Sequence, residues 1–248
     1  MAKTSGLGDQ FLFGGYDLSG EVNALSKISG SIGTFDFTPI IKFARVRGGG
    51  QRDGGIDFTA LFDPVAGHSH PVLATLPRTD VMATYIRGGT LGNPAACMVA
   101  KQVDYNPTRA NDGMLSSTVS SVANSYGLEW GQQLTAGQRT DTVATTGTAV
   151  DFAAATSFGF QAYLQVTAFT GTDVTVKLQD SADNTTFADV AGGAFTQTTA
   201  AHTTQRIAVA NTATIRRYVR ATTVTSGGFT SATFSVVLVV NQVAGQVF

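Results

Sequence analysis

The sequence predicts a mainly β protein in two parts, and three observations carry that prediction. Apolar and polar residues alternate with a period of two, most clearly where Phe160, Ala162, Leu164, Val166 and Ala168 interleave with Gln161, Tyr163, Gln165 and Thr167. That is the pattern of a half-buried antiparallel strand. Gly reaches 28 of 248 residues while charged residues are only 13%, which describes many turns and no Glu/Lys-rich helix. A Thr-, Ala- and Gly-rich stretch, residues 135–156, then separates two lengths of chain, each able to bury a core. The expected division is a β domain at 1–140, a linker at 141–150 and a β-sandwich at 151–248.

Taken in order, Phe11, Leu12 and Phe13 before Gly14-Gly15 read as a strand entering a tight turn. Residues 16–28 allow helix or strand, with Asp17 and Ser19 as turn or cap residues. Phe35, Phe37, Ile40, Ile41, Phe43 and Val46 make an apolar, β-favouring segment that ends at Gly48-Gly49-Gly50. Residues 45–55 read as a glycine-rich loop. Ile56, Phe58, Ala60 and Phe62 alternate with Asp57, Thr59 and Leu61, a strand signal. Pro71 suits the first position of a short helix that Pro77 ends. Strands are expected at 81–87, 96–105, 114–123 and 126–134, with turns at Gly88-Gly89, Gly92-Asn93-Pro94 and Asp112-Gly113. In the second part, residues 174–178, 187–190, 205–210, 215–224 and 234–240 supply strands around a polar turn at 180–184. Spacing of this kind suits an immunoglobulin-like or jelly-roll sandwich.

The chemistry of the chain excludes more than it selects. Residues 1–140 carry eleven Lys/Arg and eleven Asp/Glu, and residues 151–248 carry five of each. A chain that grips DNA needs a basic excess to neutralise phosphates, and there is none. Cys97 is the single cysteine, set in an apolar run, so no intramolecular disulfide or cysteine metal site is expected. The first ten residues lack the apolar core of a signal peptide, and no apolar stretch is long enough to span a bilayer. His68 and His70 with Asp63 lack a third soft ligand, so no metal is expected there. Gly48 to Gly55 lacks the Gly-Lys-Ser/Thr ending of a phosphate loop. Asp180, Asp183 and Asn184 lack the Gly and closing Glu of a calcium loop. Arg216, Tyr218 and Arg220 share a strand and are the candidates for a surface contact, with Tyr218 able to stack a sugar or a base. No nucleophile with a base partner can be named, so neither an enzyme nor a cofactor is expected.

Four stretches carry a resemblance. GLGDQFLFGGYDLSGEVNALSKISG resembles the opening of major tail proteins, the tail-tube subunits, of long-tailed, non-contractile phages of actinobacteria. IDFTALFDPVAGHSHPVLATLPRTDVMATYIRG resembles the strand, helix and strand of that family, and AACMVAKQVDYNPTRANDGMLSSTVSSVANSYGLEWGQQLTAG resembles its closing strands. VTVKLQDSADNTTFADVAGGAFT resembles a sandwich domain found at the C-termini of phage virion proteins.

The resemblance implies a tail-tube-like β-sandwich or barrel unit with one short helix, followed by the C-terminal sandwich as an external decoration. It implies a homo-oligomer of hexameric rings stacked into a tube, in the virion, made in the bacterial host cytoplasm. Other tail proteins such as the tape measure would be partners, and viral DNA would pass through the lumen without tight binding. By analogy, ring-to-ring contacts fall to the N-terminal arm, residues 3–13 with Phe11, Leu12 and Phe13, and to the loop bearing Arg45, Arg47 and Arg52. The decoration would make weak glycan contact and be dispensable for assembly. The alternatives are a carbohydrate-binding or adhesion module, and a capsid decoration or baseplate protein.

Overall fold

The computed structural model describes residues 5–245. The expected Lys3 end of the N-terminal arm lies outside them. The strands are β1 (Gln10–Phe13), β2 (Tyr16–Asp17), β3 (Val22–Asp36), β4 (Arg47–Leu61), β5 (Val81–Ile86), β6 (Pro94–Gln102), β7 (Asn106–Arg109), β8 (Leu115–Ala123) and β9 (Glu129–Gln133). They continue as β10 (Arg139–Asp141), β11 (Val150–Asp151), β12 (Phe160–Gly171), β13 (Thr175–Ser181), β14 (Ala188–Ala194), β15 (Thr203–Ala208), β16 (Tyr218–Val224) and β17 (Phe229–Val240). One short helix, α1 (Ser69–Leu73), lies between β4 and β5. The protein is thus mainly β with a short helix where Pro71 placed it.

Two compact units divide the chain, but not at residues 141–150. The first takes the described residues up to Gly20, Met82–Cys97 and Trp130 onward; the second takes Glu21–Val81 and Met98–Glu129. The supposed linker is packed into the first unit. Asp141 is buried and accepts hydrogen bonds from Arg139 Nη2 (2.8 Å) and Thr223 Oγ1 (2.8 Å). Gly147 N–H donates to Ala221 O at 3.0 Å, and Val150 enters the core. A Thr- and Gly-rich composition reads as a linker because it lacks apolar mass; here backbone pairing ties it down instead.

In the first unit a sheet β11-β16-β13-β14 faces β12 and β17 across a shared apolar core. Phe160, Leu164 and Val166 meet Val176, Leu178 and Val219, with Phe234 and Val236 beside them, all fully buried. This is sandwich packing, and the period of two selects the residues that make it. Alternation also led to the expectation that Gln161, Tyr163 and Gln165 face water. They do not: all three are buried. The strand order β15-β12-β17-β9-β6-β5-β1-β2 curls back, so that the far end of the sheet covers the second face of β12. The amide of Gln165 seals that closure. Its Oε1 accepts from Gly15 N–H at 2.9 Å, and its Nε2 lies 2.7 Å from Thr84 Oγ1 and 3.2 and 3.3 Å from the carbonyls of Leu12 and Met82. Tyr16 stacks on His202 at 3.8 Å alongside, and Gly15, at φ +82°, has no room for a Cβ against the His202 backbone.

In the second unit Ile56, Phe58 and Ala60 of β4 turn inward as their alternation requires. β4 pairs with β3 on one edge and, over Gly55–Leu61, with β8 on the other. The remaining edge of β8 takes β7 and then Ala100–Gln102 of β6. Gln102 Nε2 donates to Leu73 O at 2.7 Å and anchors the end of α1.

Two expected outcomes follow. Gln165→Ala leaves Gly15 N–H and Thr84 without their partner in a buried site, and should lower unfolding free energy by about 2–4 kcal/mol; urea denaturation measures it, and a change under about 0.5 kcal/mol would contradict the closure. Deleting residues 150–248 strips β12 and β17 from the strands they cover and pair, so the remainder should be insoluble or lack a cooperative melt, in contrast with a dispensable decoration.

Candidate functional site

The second unit carries a long arm with apolar residues on its outside. β3 and β4 are each 15 residues, about 50 Å at the rise of a strand. β8 covers β4 only from Gly55, so Arg47–Gly54 pairs with β3 alone and the outer half is a two-stranded ribbon. A ribbon of this kind is marginal without further packing. Residues 45–55 are therefore mostly strand, not loop, and the glycines explain how. Phe35 and Phe37 lie on one face of the hairpin, 6.2 Å apart, over the glycines of the opposite strand. A Cβ at Gly48 would overlap the Phe37 ring, and one at Gly50 would sit 3.0 Å from Phe35 Cε2.

The apolar segment expected to be a strand is the hairpin end. Asp36 Oδ1 accepts Thr38 N–H (2.9 Å), Val46 N–H donates to Thr38 Oγ1 (2.8 Å), and Phe37 N–H donates to Val46 O (2.8 Å). The Thr38 hydrogen bonds hold the Asp36 carboxyl below its usual range. With the turn closed on itself, Ile40 and Phe43 are fully exposed, and Ile41, Phe37, Phe35, Ile32 and Val46 are largely so. An apolar patch of this extent on one element marks an interaction surface.

The foot of the arm is latched. Leu61 N–H donates to Glu21 O at 2.8 Å, joining the residue before β3 to the last residue of β4. His68, just ahead of α1, places Nδ1 2.7 Å from Glu21 Oε1 and 3.2 Å from Asp63 Oδ2. The Glu21 hydrogen bond is the main reason its pKa is raised, against a smaller opposing effect of desolvation. His70 does not join it. The chain turns into α1 between them, and His70 bonds Tyr105 Oη (2.8 Å) and packs on Phe62.

Of the stacking candidates, Phe11, Leu12 and Phe13 are buried in the first unit and offer no surface. Their triplet of apolar residues reads as an arm but supplies core on β1, which pairs with β5. Arg45, Arg47 and Arg52 are exposed on the arm. The surface candidates are engaged within the first unit: Arg216 Nε lies 3.8 Å from Asp180 Oδ1, and Arg220 bonds Gln179 Oε1 while its guanidinium stacks 3.7 Å over Phe187. Tyr218 is covered by the Arg217 guanidinium at 4.9 Å. That guanidinium also grips Asp151 through two 2.7 Å bonds, lowering the carboxyl to about 2. Asp180 and Asp183 serve separate turns: Asp180 accepts Arg216 N–H, while Asp183 accepts the N–H groups of Thr185 and Thr186. Cys97 is buried.

Sequence reasoning missed a groove in the first unit lined by Leu7, Asp9, Arg87, Pro94 and half-exposed Trp130. Its carboxylate is already committed: Asp9 accepts Tyr85 Oη–H and Gly88 N–H and pairs with Arg87. Burial, then Asp9, pushes the Tyr85 phenol up to about 12.

The His68 latch has a defined pH dependence. A raised folded pKa means its ionic contribution is complete below the ordinary value of 6.5 and is lost as pH rises through the raised value. The melting temperature of wild type minus that of His68→Gln should be positive at pH 5.5 and shrink towards zero at pH 8.5. An unchanged difference would show that the contact is not ionic.

No family model matches this chain, and no curated protein matches it. Among solved structures, a chain of the virion of a native gene transfer agent particle is 10% identical, covers 52% of this chain and 98% of its own, with a TM-score of 0.38. A chain of the tail of the empty gene transfer agent particle, refined with C6 symmetry, is 12% identical over 51% of this chain and 97% of its own, at 0.39. The SPP1 Dit protein, described as a hub adsorption apparatus in phages infecting Gram-positive hosts, is 13% identical over 94% of this chain and 99% of its own, at 0.33.

Proposed function

We propose that this chain is a structural protein of the phage virion that assembles with copies of itself, and that it forms the tail tube as stacked rings. The observation that carries the reading is the arm: a two-stranded ribbon without lateral support, ending in exposed Ile40, Ile41 and Phe43 beside Phe35 and Phe37. Burying one such side chain is worth about 1.5–3 kcal/mol, so several of them against a neighbour supply the drive for association. The arm also has open edges, along β3 and along Arg47–Gly54 of β4. A second chain closes such edges in a continuous barrel. Contact between the arm of one copy and a different patch on the next is heterologous, and heterologous contacts build rings or filaments. The resemblance of three long stretches to tail-tube subunits, and of a fourth to a C-terminal sandwich domain of phage virion proteins, agrees with this, as does a net charge of −1, which lets DNA slide.

On this reading the strands from β11 onward are an immunoglobulin-like or jelly-roll decoration fused into the first unit, not a removable appendage. The carbohydrate-module alternative loses its stacking residue, since Tyr218 is capped by Arg217.

Negative-stain electron microscopy of the purified chain at rising concentration tests the proposal. Wild type should form tubes or stacked six-fold rings, and Phe43→Asp or Ile40→Asp should leave dispersed particles with an unchanged circular dichroism spectrum. Aspartate variants that assemble like wild type would remove the arm from the mechanism, and single rings that never stack would favour a baseplate role.

A further inference from the structure

The foot of the arm gathers three ligand atoms of the kind that hold a metal ion. Glu21, Asp63 and His68 each offer one, all within 4.8 Å of one another. Two carboxylates and an imidazole make a mixed oxygen and nitrogen set that suits a borderline divalent ion such as zinc. A second observation separates this cluster from an ordinary surface ion pair. The His68 contact satisfies only one oxygen of Glu21; Oε2 is buried with no hydrogen-bond partner. The side chain as a whole is 13% exposed, and that oxygen itself is buried. A carboxylate oxygen taken out of water without a donor is costly, and a cation that Glu21 holds through both oxygens relieves it, as an ordered water would.

We infer that Glu21, Asp63 and His68 form a binding site for a single divalent transition-metal ion, of which zinc is the representative. His68 Nδ1, Glu21 and Asp63 Oδ2 are the ligands, and water completes the shell. The imidazole is neutral when it ligates, so the ion replaces the proton that His68 otherwise holds against Glu21. Zinc–ligand bonds of about 2.0–2.2 Å set ligand atoms roughly 3.4 Å apart in a tetrahedron. The 3.2 Å spacing from His68 to Asp63 is close to that already, while the 2.7 Å spacing to Glu21 must open. His68, with 44% of its side chain exposed, has room to move. Asp63 Oδ1 is held by Val65 N–H at 2.9 Å, which orients Oδ2 towards the cluster.

The site has a mechanical meaning. Glu21 precedes β3 and Asp63 follows β4, so one ion joins both feet of the arm to the segment leading into α1. A metal at the foot stiffens the arm at the point where a load on its far end would bend it. This inference stands apart from the proposed assembly, since binding is read on dispersed protein.

Isothermal titration calorimetry of the full chain with zinc chloride at pH 7.5, and with magnesium chloride in parallel, is the test. One zinc per chain is expected, with magnesium at least about tenfold weaker because imidazole favours the softer ion. His68→Gln and Glu21→Gln should each weaken zinc binding by about tenfold or more, while His202→Asn keeps it; far-UV circular dichroism verifies the fold, and Asp63→Asn replaces any variant that fails that check. The inference is overturned by absence of stoichiometric uptake, by uptake that His68→Gln leaves unchanged, or by magnesium binding as tightly as zinc.

Discussion

The amide of Gln165 is the interaction on which the first unit depends. β12 is buried on both faces, one by the apolar sandwich core and the other by the curled end of its own sheet. A strand in that position would ordinarily be apolar throughout. Here one face carries Gln161, Tyr163 and Gln165, and a fully bonded amide serves both as filler and as a key. Its geometry accepts only one register, because a slip of one residue would set Leu164 or Val166 against Gly15 N–H and Thr84. Gln133 acts similarly, its amide bridging the carbonyls of Arg87 and Gly88 to Gly137 N–H. Polar side chains thus specify how the sheet closes, and apolar ones supply the driving force.

The second unit shows the opposite use of the same chemistry. Large apolar side chains stand outside and small ones lie beneath them: Phe35 and Phe37 lie over Gly50 and Gly48, on the face those glycines leave without side chains. Leu128 packs on Gly54 in the same manner, nearer the foot, where a Cβ would come within 2.7 Å of its backbone nitrogen. Glycine in a strand weakens it unless something must approach closely. Each of these glycines has such a neighbour.

How much of this was legible depends on range. Periodicity located the strands that have one wet face or a regular core face, including Ile56, Phe58 and Ala60 and the whole run from Phe160 to Val166. Pro71 located the helix but not its ends: it runs Ser69–Leu73, starting two residues before Pro71 and stopping short of Pro77. What periodicity could not show is what covers the other face, so Gln165 looked like solvent surface and residues 141–150 like a linker. Phe11, Leu12 and Phe13 carried no sign of whether three adjacent apolar residues meet a neighbour or their own core. The arm was misread for a local reason. Apolar content suggested a β segment from Phe35 to Val46, although Asp36, Thr38 and Pro39 are turn chemistry, and the glycines that read as a loop lie in the strand opposite the aromatics. The latch joins positions more than forty residues apart, Glu21 to His68, and only the pairing of β3 with β4 brings them together.

The distance along the chain between Gln165 and its partners also bears on synthesis. Gly15 N–H waits for an acceptor 150 residues downstream, and β9 waits for β17, about a hundred residues further on. Contacts of such separation form slowly, because the intervening chain must first be brought into place. The arm, by contrast, closes between neighbouring strands. On a ribosome, β1 gains β5 once residue 86 has emerged, but the contacts of Gly15 and Leu12 with Gln165 close only far later. During that interval the nascent protein is most in need of a chaperone, and most exposed to aggregation.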